Sequence, residues 1–136
     1  MHVGFTGTQQ GMTEKQKEVV LLLLESVESG GAFHHGDCIG ADAQAATIAR
    51  SIGYPIKGHP PINDSKRAFF DSDDESEPKE YLVRNHDIVD ESEIMIAAPK
   101  EEKEILRSGT WSTIRYAMKQ DMPLYIVYPD GTLEMV

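Results

Sequence analysis

Apolar residues along the chain fall into short runs that are separated by longer amphipathic segments. Five mostly apolar runs predict strands at residues 3–5, 32–35, 54–57, 94–97 and 124–128. Between them, apolar residues recur at helical spacing, which predicts helices from Thr13 to a stop at Gly30-Gly31 and over 41–52, about 79–88 and about 109–118. Thr13 and Gln16 form a capping-box pattern at the start of the first helix. A short last strand is expected at 132–135.

This alternation of strands and helices sets the predicted architecture. The strand runs are nearly continuously apolar, which is typical of a parallel sheet that is covered on both faces. The sequence predicts one α/β domain over residues 1–136, with a doubly wound, mainly parallel five-stranded sheet and helices on both faces. Residues 59–78 carry the acidic run 71–77 and are predicted to form a mobile surface loop.

Composition and charge argue against several classes of binding partner. The 136 residues carry a formal net charge of -10, which argues against sequence-independent binding to nucleic acid and against an anionic membrane surface. The single cysteine, Cys38, excludes an intrachain disulfide. Neither a signal-peptide pattern nor an apolar run long enough to span a bilayer is present, so a cytoplasmic location is expected.

Three loops that contain glycine follow predicted strands, at the sheet edge where ligands of such folds bind. The candidate ligand-binding residues in them are Thr6, Gly7, Thr8 and Gln9 in the first, Gly36, Asp37, Gly40 and Asp42 in the second, and Arg107, Ser108, Gly109 and Thr110 in the third. The second and third loops open helices, whose free N–H groups attract anions. The simpler alternative is that the glycines only serve turns and that Asp42 only stabilises its helix.

Several other polar residues are ambiguous from sequence. Arg84 and Asn85 lie on the helix before the fourth strand, where they face either a ligand or solvent. Asp37, Asp42 and Asp87 are weak candidates for a catalytic carboxylate. Cys38 is interpreted as a small buried residue rather than a nucleophile.

The histidines give no metal motif. His34 and His35 are adjacent in a strand and therefore point to opposite faces, and neither an H-E-x-x-H motif nor a cysteine partner accompanies them or His59. We therefore predict no metal site and no certain cofactor from the sequence.

Taken together, the loops resemble the SLOG superfamily, which includes the LONELY GUY phosphoribohydrolases and the DNA-processing protein A domain. The resemblance rests on Gly4-Phe5-Thr6-Gly7-Thr8, the run from His35 to Asp42, Arg84-Asn85, and Ser108-Gly109-Thr110, and it covers nearly the whole chain. It implies a Rossmann-like sheet and a pocket for a nucleotide or nucleotide-derived ligand, with phosphate at the second and third loops. It also implies self-association as a homodimer, which is common among relatives of this fold.

One departure from the family pattern bears on activity. The phosphoribohydrolases carry Pro-Gly-Gly-x-Gly-Thr-x-Glu, whereas Ser112 stands here at the glutamate position. A serine cannot act as a carboxylate base at neutral pH. The leading hypothesis is therefore a sensor or ligand-binding protein for a nucleotide or an ADP-ribose-like molecule. The alternative is an enzyme, an N-glycosidase or phosphoribohydrolase acting on nucleotides, that uses an aspartate in place of the glutamate.

Overall fold

A computed structural model describes residues 1–28 and 30–136 of the chain. The strands are β1 (Val3–Gly7), β2 (Phe33–His35), β3 (Ile56–Gly58), β4 (Asp74–Glu75), β5 (Ile94–Ala98), β6 (Leu124–Val127) and β7 (Leu133–Met135). The helices are α1 (Glu14–Ser26), α2 (Ala41–Ser51), α3 (Tyr81–Asp90) and α4 (Gly109–Lys119), and a short 3-10 turn covers Asp64–Lys66. The capping box at Thr13 and Gln16 is present, but α1 ends at Ser26, before the predicted stop at Gly30-Gly31.

The strands form one sheet in the order β4-β3-β2-β1-β5-β6-β7, in which every pair is parallel except β6 with β7. The α/β class and the mainly parallel sheet are therefore confirmed, but the prediction of five strands was wrong because the sheet has seven strands within residues 1–28 and 30–136. β7 is the short last strand expected at the end of the chain. β4 lies in the segment predicted as a loop, and its two exposed acidic residues pair with Lys57 and Gly58 through the main chain. Edge pairing of that kind requires no apolar pattern and therefore could not be recognised in the sequence.

Each face of the sheet is covered by two helices. Phe5 and Phe33 pack with residues of α1 and α2 in one core cluster. Met95 and Ala97 pack with α3 and α4 in a second cluster on the other face. Successive residues of one strand thus face opposite cores, as Ile94 and Ile96 of β5 belong to the first cluster and Met95 and Ala97 to the second. This accounts for the nearly continuous apolar runs in the sequence.

The sheet has its topological switch point beside β1. The chain proceeds from β1 to β2, β3 and β4 on one side and then crosses to β5 on the other. Gly7, at the end of β1, is in register with Ala98, at the end of β5. In doubly wound sheets the crevice for ligands opens at this point, beyond the carboxyl ends of the strands.

The segment 59–78 is tied to the loop after β2. Its Lys66 carbonyl accepts from the Ile39 N–H at 2.9 Å, and its Ala68 N–H donates to the Asp37 carbonyl at 2.8 Å. The segment thus has defined structure, whereas its predicted mobility stays a prediction. None of the helices within residues 1–28 and 30–136 combines the length and the apolar character needed to cross a bilayer.

Candidate functional site

A cavity of about 820 Å³ opens at the switch point, beyond the carboxyl ends of the strands. The predicted residues that line it are Thr6, Gly7, Thr8, Gln9, Gly36, Asp42, Arg84, Asn85, Arg107, Ser108, Gly109 and Thr110. The three loops and the helix α3 therefore meet around one space. Asp37, Gly40 and Asp87, which were also singled out from sequence, are not among the lining residues.

Arg84 is the buried cation of the cavity. Its side chain is 6% exposed, and its Nη1 donates to the main-chain carbonyls of Gly36 and His59. Its Nε donates to the Asn85 Oδ1 at 2.7 Å. Within the described residues Arg84 forms no ion pair, so its positive charge is held by neutral oxygen atoms. The Asp42 carboxylate acts on Arg84 only from beyond ion-pair distance, and a buried guanidinium without a direct counter-ion favours an anion in the adjoining cavity.

Asp42 lies in the first turn of α2 and folds back over the loop. Its Oδ2 accepts the N–H groups of Gly36 at 3.0 Å and Cys38 at 3.2 Å. Burial raises the pKa of the Asp42 carboxyl to about 6, although Arg84 and the two main-chain donors act in the opposite direction. A carboxyl group with a perturbed pKa beside a cavity is a recognised sign of a functional site.

Asp37 has a structural role rather than a place in the cavity wall. Its carboxylate accepts from Arg67 Nε at 2.5 Å and from the Phe70 N–H at 2.8 Å, and its side chain is fully buried. Its φ of 54° lies in the left-handed region, which Asp tolerates better than most residues. Asp37 therefore connects the loop after β2 to the segment 59–78. Asp87, the third candidate carboxylate, is paired with Lys79 at 2.7 Å.

Gly40 and Gly109 open the two helices that approach the cavity. Gly40 is the N-cap of α2 with φ +87°, and a Cβ there would collide with the main chain of Gln9. Gly109 begins α4, directly after the N-cap Ser108, and a Cβ there would meet nothing within 4 Å. The fold therefore requires glycine at position 40, whereas position 109 has room for a side chain on the side of the cavity.

Cys38 and Trp111 are poorly suited to chemistry in the cavity, although Cys38 is half-buried and lines it. Burial raises the pKa of the Cys38 thiol to about 11, so the thiolate needed of a nucleophile is disfavoured. Trp111 is 5% exposed and belongs to the core cluster of α3 and α4, with its indole N–H donating to Glu101 at 3.1 Å. Trp111 is therefore a core residue rather than an exposed stacking platform.

The cavity also contains residues that the sequence analysis did not select. The polar and aromatic ones are Gln10, Asn63, Ser65, Tyr81, Lys100, Glu101 and Ser112. Lys100 and Glu101 follow β5, so the rule that found the other loops could have found them as well. Tyr81 precedes Arg84 by almost one helical turn, and its ring lies 5.2 Å from the guanidinium carbon. Only the folded structure shows that Tyr81 faces this cavity.

Comparison with known proteins defines the class of fold. No family model matches the chain, and no curated protein matches it either. Among solved structures, the molybdenum cofactor binding protein from Rippkaea orientalis matches 93% of this chain and 76% of its own, at 19% identity and a TM-score of 0.70. DNA processing protein A from Helicobacter pylori, described for its single-stranded DNA binding mode, matches 93% of this chain and 64% of its own, at 20% identity and a TM-score of 0.64.

A third similar structure is the Moco Carrier Protein from Chlamydomonas reinhardtii, at 17% identity and a TM-score of 0.57, covering 92% of this chain and 74% of its own. At these identities the likeness concerns the fold. The chain has the Rossmann-like fold of these structures, which confirms the resemblance drawn from its loops at the level of the fold.

Proposed function

We propose that this protein binds a small phosphate-bearing ligand, a nucleotide or a nucleotide-derived molecule such as ADP-ribose, in the cavity at the switch point. In this role it is a cytoplasmic sensor or ligand-binding protein. The observation that carries the proposal is the buried Arg84 guanidinium, which has main-chain and amide partners but no ion pair among the described residues. An anionic group in the cavity would supply the direct ion pair that Arg84 lacks among the described residues.

The N-terminus of α4 is the second element of the proposed phosphate site. Ser108 caps this helix, and Gly109 and Thr110 form its first turn at the cavity wall. Helix N-termini present free N–H groups and a positive dipole end to anions. Arg107 and Lys66 also line the cavity and add positive charge to its rim. Arg67, which follows Lys66 in the same segment, is instead paired with Asp37 and Glu75.

The base or another planar part of the ligand would lie against Tyr81, whose side chain is 40% exposed at the cavity. Two structural neighbours are described as molybdenum cofactor proteins, which supports a small-molecule ligand for this fold. The neighbour that binds single-stranded DNA offers another possibility, but the net charge of -10 argues against it here.

Thermal unfolding in the presence of nucleoside monophosphates and diphosphates, ADP-ribose and inorganic phosphate tests the proposal. We expect at least one nucleotide to raise the Tm at sub-millimolar concentration, since a ligand at 100 times its Kd stabilises by about 2.7 kcal/mol. Native mass spectrometry of the purified protein would weigh any ligand that co-purifies. The proposal fails if no compound of the panel shifts the Tm and the protein carries no bound ligand.

Arg84→Ala and Arg115→Ala form a matched pair for this test. Arg84 lies in the cavity, whereas Arg115 pairs with Glu104 and with the Leu106 carbonyl on the surface of α4. We expect Arg84→Ala to abolish the ligand-induced shift and Arg115→Ala to retain it. Light scattering of the same samples would show whether the protein forms the expected homodimer.

Asp42 favours a second candidate function, an N-glycosidase acting on nucleotides. A carboxyl group with a pKa of about 6 at a cavity wall can donate a proton to a leaving base. Incubation with nucleoside monophosphates would then release free base, and Asp42→Asn would abolish the release. Absence of free base from every monophosphate at saturation would leave ligand binding as the function.

A further inference from the structure

Three metal-ligating side chains converge on the face of the sheet that carries α3 and α4. His34 on β2 lies in register with Gly4 of β1 and Lys57 of β3. His59 follows β3 directly, and Glu91 caps the C-terminal end of α3. The two imidazoles are 2% and 1% exposed, whereas Glu91 is exposed. This cluster is separate from the side chains that line the cavity at the switch point.

The distances within the cluster suit a small metal ion. His34 Nδ1 and His59 Nε2 are 2.9 Å apart, and the Glu91 Oε1 lies 3.9 Å from the first and 3.8 Å from the second. A point in the plane of these three atoms is about 2.1 Å from each of them, which is the bond length of zinc to imidazole nitrogen and carboxylate oxygen. The spacing of the three atoms therefore already suits coordination of one ion.

The hydrogen bonds around His34 orient it as a ligand. The Ala32 N–H donates to His2 Nδ1 at 3.3 Å, so this nitrogen is an acceptor. His34 Nε2, at 3.0 Å from the same atom, must then carry the proton, and its Nδ1 presents a lone pair to His59 and Glu91. Metal-binding histidines are commonly held in this way, with the second ring nitrogen donating to a fixed acceptor.

His59 has a comparable second partner. Its Nδ1 is 3.5 Å from the Ser76 hydroxyl, which can accept its proton when Nε2 turns to a metal. Burial lowers the pKa of both His34 and His59, to about 3 for His34, so both rings are neutral at physiological pH. A neutral imidazole binds metal without net loss of a proton, and in His59 the proton moves from Nε2, where it is donated to His34 Nδ1, to Nδ1.

The cluster is open to solvent on one side. A surface depression borders it and is lined by His2, His34, Lys57, Asp73, Asp74 and Glu91 among others. The acidic residues at this opening attract cations. Lys57 acts against them, because its Nζ is 3.2 Å from the Glu91 Oε1. Lys57 therefore competes with any cation for the Glu91 carboxylate.

We propose that His34 Nδ1, His59 Nε2 and a carboxylate oxygen of Glu91 bind one divalent transition-metal ion of the zinc class. Two imidazoles and one carboxylate favour zinc, cobalt or nickel over magnesium or calcium. Three protein ligands leave a fourth coordination position for water. The sequence could not show this site, since its ligands lie on β2, after β3 and at the end of α3.

The test uses untagged protein that has been treated with a chelator and then titrated with Co²⁺ and, by calorimetry, with Zn²⁺. We expect one ion per chain with a Kd of about micromolar or below, and Co²⁺ absorption bands typical of a four-coordinate site. His34→Gln, His59→Gln and Glu91→Gln should each weaken binding by about tenfold or more. His86→Gln, which alters a histidine stacked on Tyr116 outside the cluster, should leave the Kd unchanged.

Glu91→Gln and Lys57→Gln keep the test decisive if the buried histidine variants fold poorly. Both residues lie at the open side of the cluster. Removal of the competing ammonium group should tighten Zn²⁺ binding by about fivefold, which a damaged fold could not imitate. A wild-type protein that takes up no Co²⁺ or Zn²⁺, or a Kd that neither Glu91→Gln nor Lys57→Gln alters, would reduce the cluster to a hydrogen-bonded histidine chain and overturn the proposal.

Discussion

Arg84 and Asp42 bind the same residue, Gly36, from opposite sides. Arg84 Nη1 donates to the Gly36 carbonyl, and the Asp42 Oδ2 accepts the Gly36 N–H at 3.0 Å. A Cβ at Gly36 would lie 2.7 Å from Arg84 Nη1 and 3.0 Å from Asp42 Oδ2, so only glycine fits between them. Two buried charged groups thus determine the shape of the loop after β2, which forms part of the cavity wall.

Asp42→Asn should stabilise the protein at neutral pH. The pKa of Asp42 is raised from 3.8 to about 6, so the folded state binds this proton more tightly than the unfolded state. Its contribution to stability is therefore present below about pH 4 and is lost as the pH rises to 6, at a cost of about 2–3 kcal/mol. Asn keeps an oxygen for Gly36 and Cys38 but carries no charge. Urea unfolding should show a more stable variant at pH 7.5 and little difference at pH 4.

The difference between the two proteins is the quantity to compare, because histidines also titrate over this range. An Asp42→Asn variant that is less stable than the wild type at pH 7.5 would show that the ionised carboxylate is needed for the loop, contrary to this expectation.

Gly40→Ala and Gly109→Ala should separate the needs of the fold from those of the cavity. Gly40 has φ +87° and no room for a Cβ beside Gln9, so the substitution should destabilise by about 1–3 kcal/mol or more. Gly109 has ordinary helical surroundings and open space, so alanine should leave the Tm equal or higher while placing a methyl group at the cavity. Thermal unfolding measures the first effect, and the ligand-induced shift in Tm measures the second.

A retained nucleotide shift in Gly109→Ala would move the proposed phosphate away from the start of α4. An unchanged Tm in Gly40→Ala would mean that the loop has another conformation.

Much of the architecture was predictable because parallel strands are buried on both faces and produce apolar runs. The glycine loops could be found because they follow these strands, and the switch point then brings them together. The two acidic residues of β4 could not be recognised, since their pairing with β3 uses main-chain groups alone. An apolar pattern in the sequence indicates burial, and the side chains of an exposed edge strand are not buried.

The chemistry of individual site residues was harder to predict for a different reason. Asp37 and Asp42 are five residues apart in the sequence, yet Asp37 pairs with Arg67 and Asp42 binds Gly36 beside the cavity. Which carboxylate meets which donor depends on contacts with residues about 30 positions away, such as Arg67 and Phe70. The same limit hid Tyr81, which becomes a cavity residue only when α3 packs on the sheet.

His35→Gln should make the protein less sensitive to acid. Burial lowers the pKa of His35 to about 4, whereas the unfolded chain binds this proton at about 6.5. As the pH falls below 6.5 the unfolded state is favoured, by about 1.4 kcal/mol for each pH unit. The variant should lose this part of the slope between about pH 4.5 and 6, although it is less stable at pH 7 because the Asp37 N–H loses its acceptor. A slope equal to that of the wild type would mean that His35 is protonated in the folded protein.

Arg67→Met should loosen the segment 59–78 selectively. Arg67 donates to the buried Asp37 carboxylate and to Glu75, which connects the loop after β2 to β4. Without it, Asp37 keeps only the Phe70 N–H among these donors, and leaving a buried charge without its partner costs about 3–5 kcal/mol. Hydrogen exchange should accelerate at Ala68 and Phe70, whose amides donate to Asp37, while amides of β1 and β5 keep their protection.

Lys66→Met provides the matched control for this exchange experiment, because Lys66 is an exposed neighbour on the same turn. It removes one positive charge from the segment but leaves Asp37 paired, so the amides of Ala68 and Phe70 should exchange as in the wild type. Equal acceleration in both variants would attribute the effect to charge rather than to the ion pair. Fast exchange at these amides already in the wild type would instead support the mobility predicted for the segment, since Arg67 would then not hold it against Asp37 for long enough to protect them.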